Sequence, residues 1–181
     1  NMHFAAINNL LPVSLHLNKF KEVTELLLKM RTIFENYPKV KISEDLQMKI
    51  FTHSNIAELS LYVRTGDSEK GLELIQEIQP FLEENERKIR KFPILHLYYN
   101  ISYYYFSVGK YSAAIQWMNK ILNDNSLKSV EDIHASSHIL TMILQYEQGR
   151  DELLSYLARS THRYLNKLEG LYDFETVLLS F

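Results

Sequence analysis

The stretch from Tyr98 to Leu122, YYNISYYYFSVGKYSAAIQWMNKIL, decides how the whole chain is read. Tyr98, Ile101, Ser102 and Tyr105 recur at intervals of three and four, and so do Ala114, Ile115, Met118, Ile121 and Leu122. Such spacing lines one face of a helix. Gly109 and Lys110 stand between the two sets as a turn. Ser102 and Ala114 are small enough to let two helices approach, and Tyr111 is placed to pack back across the turn. The segment therefore predicts two helices folded against each other.

The same grammar extends in both directions. Val23, Leu26, Leu27, Met30 and Phe34 share one helical face, as do Leu72, Ile75, Ile78 and Leu82, and again Ile139, Met142, Ile143 and Tyr146. No sustained alternation of apolar and polar residues marks a strand. Pro38 is expected to end one helix, and Ser43 with Glu44 and Asp45 to cap and start the next. Pro93 suits the first turn of a helix running to Val108, and Ser129 a cap for the helix that ends at Gln148 and Gly149. Pro12 and Pro80 fall inside helical patterns and predict a kink or break at each. Eight or nine helices result. Asn18, Gly66, Gly109 and Gly149 each separate two amphipathic helices, at spacings of 48, 43 and 40 residues.

Four helix pairs at a near-constant period, with the small residues and turn of Tyr98–Leu122, resemble the tetratricopeptide repeat. The first pair echoes it with Asn18, Phe20, Val23 and Leu27, and the second with Tyr62, Gly66 and Leu72, Gly71 taking the small position. The fourth keeps Tyr146 and Gly149 but has Asp151 and Leu154 where an aromatic and a small residue belong. These periods exceed the roughly 34 residues usual for the repeat and imply longer helices or linkers. The chain is also similar to tetratricopeptide-like proteins of bacteria, a resemblance that carries no activity. It implies an all-α fold: a right-handed α-α superhelix of about four antiparallel helix pairs. The pairs would cover roughly residues 2–36, 43–91, 93–124 and 129–167, within one domain over 1–181. A terminal helix at 171–181, with the run Tyr164, Leu165, Leu168, Leu171, Tyr172 and Phe174, would cap the last pair.

Composition narrows the function classes. A chain of 181 residues with 46% apolar content can bury a sizeable core. Twenty basic and 22 acidic residues leave a net charge of -2, which gathers neither nucleic acid nor an anionic membrane. There is no cysteine, so disulfides, thiolate metal sites and a cysteine nucleophile are excluded, and a cytoplasmic location is expected. The opening run from Met2 to Leu17 lacks the basic region and cleavage site of a signal peptide. Phe92 to Gly109 carries no charged residue, but its polar atoms read as a core helix rather than a membrane span. Both termini fall inside apolar periodic segments, and the chain is expected to be part of a longer protein.

In the repeat family the first helix of each pair lines a concave face. On this chain that implies a binding surface of His53, Ser60 and Arg64 on the second pair and His96, Tyr99, Asn100 and Tyr103 on the third. His53 and His96 are 43 residues apart, equal to the local period. Arg64 and Asn100 suit a peptide carboxylate or backbone amide, and the tyrosines offer flat amphipathic contacts. Tyr98 and Tyr105 fall on the packing face, whereas Tyr99 and Tyr103 are open to either reading. The lysines of a carboxylate clamp are missing. Arg159, His162 and Arg163 form a candidate anion pocket or else complement a helix end. His134 and His138 share a helix face, but Ala135 stands where a zinc hydrolase needs its glutamate, so they read as partly buried helix residues. Arg87, Lys88, Arg90 and Lys91 read as a solvated helix end offset by Glu83, Glu84 and Glu86. No nucleophile elbow or glycine-rich phosphate loop occurs.

The sequence thus points to a non-catalytic, protein- or peptide-binding helical-repeat scaffold. The alternatives are a peptide-sensing regulatory domain controlling an attached output domain and, behind it, an enzyme with an unsignalled site. No cofactor, metal, nucleic acid or membrane partner is expected.

Overall fold

Asn18, Gly66, Gly109 and Gly149 all take up left-handed backbone, with φ of 55°, 73°, 72° and 68°. This is the conformation that ends a helix and reverses the chain, and asparagine is among the few non-glycine residues that tolerate it. The structure is a computed structural model that describes residues 2–32, 43–124 and 131–165. The turns separate α1 (Met2–His16) from α2 (Phe20–Arg31), α3 (Glu44–Thr65) from α4 (Ser68–Asn85), α5 (Lys91–Ser107) from α6 (Tyr111–Leu122), and α7 (Glu131–Glu147) from α8 (Asp151–Leu165). A 3-10 turn at Glu86–Lys88 precedes α5. No strand occurs among the described residues, so the chain is all-α. Pro38, Ser129 and the terminal helix at 171–181 lie outside the described residues.

Local chemistry explains the boundaries. Ser43 Oγ accepts the Leu46 amide at 3.3 Å, and Asp67 Oδ1 accepts that of Lys70 at 3.3 Å, so each residue caps the helix that follows it. A cap of this kind contributes about 1 kcal/mol. Pro93 sits in the first turn of α5, where its missing N–H costs nothing. Of the kink or break expected at Pro12 and Pro80, the break does not occur, since α1 and α4 run through both. Both prolines are exposed, so water can take the carbonyls of Asn8 and Gln76 that lose their helical donors.

The chain divides within α5 into two compact units, Asn1–Tyr104 and Tyr105–Phe181. In the first, Leu11 and Leu15 of α1, Val23, Leu26, Leu27 and Met30 of α2, and Ile50, Ala57 and Leu61 of α3 form one apolar cluster. Arg31 ties α2 to α3 through Glu58 and, at 3.3 Å, through Asn55 Oδ1. The basic residues before α5 find partners other than the glutamates beside them. Lys88 pairs with Glu44 at 2.9 Å and Arg90 with Asp45 at 3.1 Å, both in the first turn of α3. Glu86 instead accepts the Tyr98 hydroxyl at 2.6 Å. Exposed pairs of this sort contribute about 0–1 kcal/mol each.

Helix α5 buries Ile94, Leu95, Leu97, Tyr98, Ile101, Ser102 and Tyr104, more than one face of a surface helix requires. Of the tyrosines expected on its packing face, Tyr98 is buried but Tyr105 is only half-buried. The deepest is Tyr104, at 1% exposure. Its ring lies against Gly71 of α4, and its hydroxyl donates to the Ser68 carbonyl at 2.7 Å.

The second unit packs α6 on α7 and α7 on α8. Ala114, Met118, Ile121 and Leu144 are completely buried. Tyr111 folds back over the α5–α6 turn, its ring 6.0 Å from that of Phe106, and its hydroxyl reaches Glu147 at 3.2 Å. Along α7 runs a polar stripe, His134, His138, Thr141, Gln145 and Gln148, at helical spacing. Among the described residues, the buried His134 Nε2, Thr141 Oγ1, Gln145 Oε1 and Gln148 Oε1 have no hydrogen-bond partner. Each such atom costs about 1–3 kcal/mol.

Candidate functional site

The residues expected to form a binding face on the second and third pairs all lie on α3 and α5 of the first unit. A side-chain contact joins the two helices. Ser60 Oγ, whose closest acceptor is the Ile56 carbonyl at 2.9 Å, stands 3.4 Å from Asn100 Oδ1. Asn100 Nδ2 donates to the His96 carbonyl at 2.8 Å, so both ends of this amide already have protein partners. Nearer the helix starts, His96 is close enough to His53 to act on its protonation.

His53 is half-buried, with the Phe4 ring of α1 edge-on to it at 5.7 Å. Burial holds the imidazole below its ordinary value, and the neighbouring His96, Lys49 and Arg90 add to the shift. Arg64, in the last turn of α3, is exposed and makes no ion pair among the described residues. On α5, the accessible side presents an aromatic stripe at spacings of four, three and four: Phe92, His96, Tyr99, Tyr103. The rings of Phe92 and His96 are 4.3 Å apart, and those of Tyr99 and Tyr103 lie nearly parallel at 6.4 Å. Phe92 and Tyr103 are 55% and 42% exposed, well above what a core aromatic shows. Burial, with Tyr103 nearby, pushes the Tyr99 phenol above its ordinary value. The sequence reading missed Phe92, although its position four before His96 was the available signal. It missed Phe4 because nothing local links α1 to His53.

In the second unit, Ala158, Arg159, His162 and Arg163 line an open depression of about 430 Å³, so the three candidate anion ligands do share one surface. Arg163 Nε donates to the Arg159 carbonyl at 3.3 Å. The cations lie in the last turns of α8, with Asp151 and Glu152 in its first, an arrangement that complements the helix dipole. His134 and His138 face the Tyr164 ring at 6.4 and 4.7 Å. Burial lowers both, His138 also feeling His134. Among the described residues no group of three potential metal ligands occurs, and no helix is long and apolar enough to cross a membrane.

These imidazoles give a signed prediction. A histidine whose value is lower in the fold than in the unfolded chain leaves the unfolded state binding more protons, so stability falls as pH drops below about 6.5. His53, His134 and His138 all shift in that direction. Urea midpoints measured from neutral to mildly acidic pH are expected to fall, and a His53→Gln, His134→Gln, His138→Gln variant to show a flatter profile. An unchanged slope in that variant refutes the assignment.

No protein-family model matches the chain, and no curated protein or solved structure is detectably similar to it.

Proposed function

We propose that the chain is a non-catalytic helix-pair module, tetratricopeptide-like in kind, that binds a peptide or protein segment along α5. The observation that carries this reading is the partly exposed aromatic stripe of Phe92, His96, Tyr99 and Tyr103. Flat aromatic side chains lose little conformational entropy on binding and dominate interface energetics. Two further features support it. Ser60 of α3 and Asn100 of α5 meet at an offset of 40 residues, close to the spacing of the turns. The helix-pair turns also share one backbone conformation. Asn100, whose amide closes the α3–α5 junction, serves here as a scaffold for the stripe, and Arg64 offers an exposed guanidinium in the last turn of α3. His53 sets the floor beside Phe4.

The test is affinity capture from source lysate with the wild type and with a Phe92→Ala, Tyr99→Ala, Tyr103→Ala variant whose circular dichroism matches it. Hot-spot aromatics contribute more than about 1 kcal/mol each, so the captured partner should fall by at least about tenfold. Equal recovery by both proteins rejects this surface.

A further inference from the structure

On the opposite side of α3 from His53 and Ser60, an open cleft of about 510 Å³ lies between α3 and α4. Its apolar floor and walls are Met48, Ile50, Phe51, Leu74, Ile78 and Phe81. Phe51 and Phe81 stack across it with ring centroids 3.8 Å apart. This volume and lining match those of a groove that receives a side chain of some size. The rim is polar and its charges are unequal. Arg31, at one edge, is engaged by Glu58 and Asn55, so its guanidinium is compensated from within the fold. Glu77, at the other edge, is exposed and has no ion-pair partner among the described residues. Glu73 and Glu84, also exposed, fall on the same side of α4 by helical spacing. An apolar groove flanked by Glu77, a carboxylate with no ion pair among the described residues, complements a segment that is apolar on one face and basic on the other.

We propose that the α3–α4 cleft docks a basic amphipathic segment of a partner protein. That segment inserts an aliphatic or aromatic side chain against Phe51 and Phe81 and sets a lysine or arginine at Glu77. The groove runs between two helices rather than closing into a cavity, which suits the apolar face of a helix, and the long stem of a basic residue can lie along the apolar wall with its head at the carboxylate. This surface is separate from the α5 stripe, and the two can succeed or fail independently.

The experiment uses the full chain and a fluorescently labelled amphipathic helix of leucine and lysine, with a leucine and glutamate helix of the same pattern as control. Anisotropy is expected to show saturable binding of the lysine peptide alone. A Glu77→Gln, Glu84→Gln variant, changed only at exposed positions, should bind about tenfold more weakly. Methyl resonances of Met48, Ile50 and Ile78 should move on titration into the wild type, which locates the peptide without any variant that disturbs the aromatic stack. The Phe92→Ala, Tyr99→Ala, Tyr103→Ala variant should bind as the wild type does. Unchanged affinity in the glutamine variant, equal binding of the acidic peptide, or shifts confined to other surfaces overturns the proposal.

Discussion

Replacing Gly71 by alanine is expected to destabilise the first unit by about 1–3 kcal/mol. In an ordinary helix interior this change stabilises, since alanine is a better helix former than glycine by about 1 kcal/mol. Here the added methyl overlaps the ring and hydroxyl of Tyr104. That ring cannot swing aside, because it is 1% exposed and its hydroxyl is held by the Ser68 carbonyl at 2.7 Å. Overpacking of a close-packed core costs about 1–3 kcal/mol, and moving the ring also forfeits a hydrogen bond of about 1 kcal/mol. The steric term therefore exceeds the propensity gain. Urea unfolding followed by far-ultraviolet circular dichroism gives the midpoint, and hydrogen exchange at α4 amides locates the loss. A Gly71→Ala, Tyr104→Leu double variant should lose less than the sum of the two single variants, because the leucine leaves room for the methyl. If Gly71→Ala proves as stable as the wild type, the α4–α5 contact is not as tight as described.

The second large effect has the opposite sign. His134→Leu, Thr141→Val and Gln145→Leu together should raise the stability of the second unit by about 3 kcal/mol. The three side chains are 9%, 7% and 8% exposed, and each carries an atom with no hydrogen-bond partner among the described residues. An unsatisfied buried polar atom costs about 1–3 kcal/mol, and an apolar side chain of similar size removes that cost. The leucine at position 134 also removes one of the protons taken up on unfolding at low pH, so the gain should grow as pH falls. Calorimetry at two pH values reads both effects. A lowered melting temperature would instead mean that the stripe contributes polar contacts to the folded state. Gln148 is left in place because its Nε2 donates to Ser112 Oγ at 3.0 Å.

Much of this was legible in order along the chain. The period of three and four set the helices, Ser43 set one of their starts, and Asn18, Gly66, Gly109 and Gly149 set the reversals. Each is a local signal read within one or two turns. Pro12 and Pro80 do not interrupt α1 and α4, since both are exposed and water can take the carbonyls they free, which spacing alone could not show. Tyr98, Tyr104 and Tyr105 could not be ranked by spacing, since α5 is covered around more of its circumference than a simple amphipathic helix. The candidate face was half legible: the register that brings His53 to His96 is a sequence interval, whereas the edge-on Phe4 is not.

By itself, then, the sequence determined the all-helical class, the helices and the turns between them, because backbone propensity and capping act over a few residues. Only the tertiary structure decided which tyrosine is buried, where Asn100 finds its partners, that Phe51 and Phe81 wall a cleft, and that α7 buries polar atoms alone. Those outcomes depend on which flank of each helix a sequence-distant neighbour covers, and no interval along one chain encodes that.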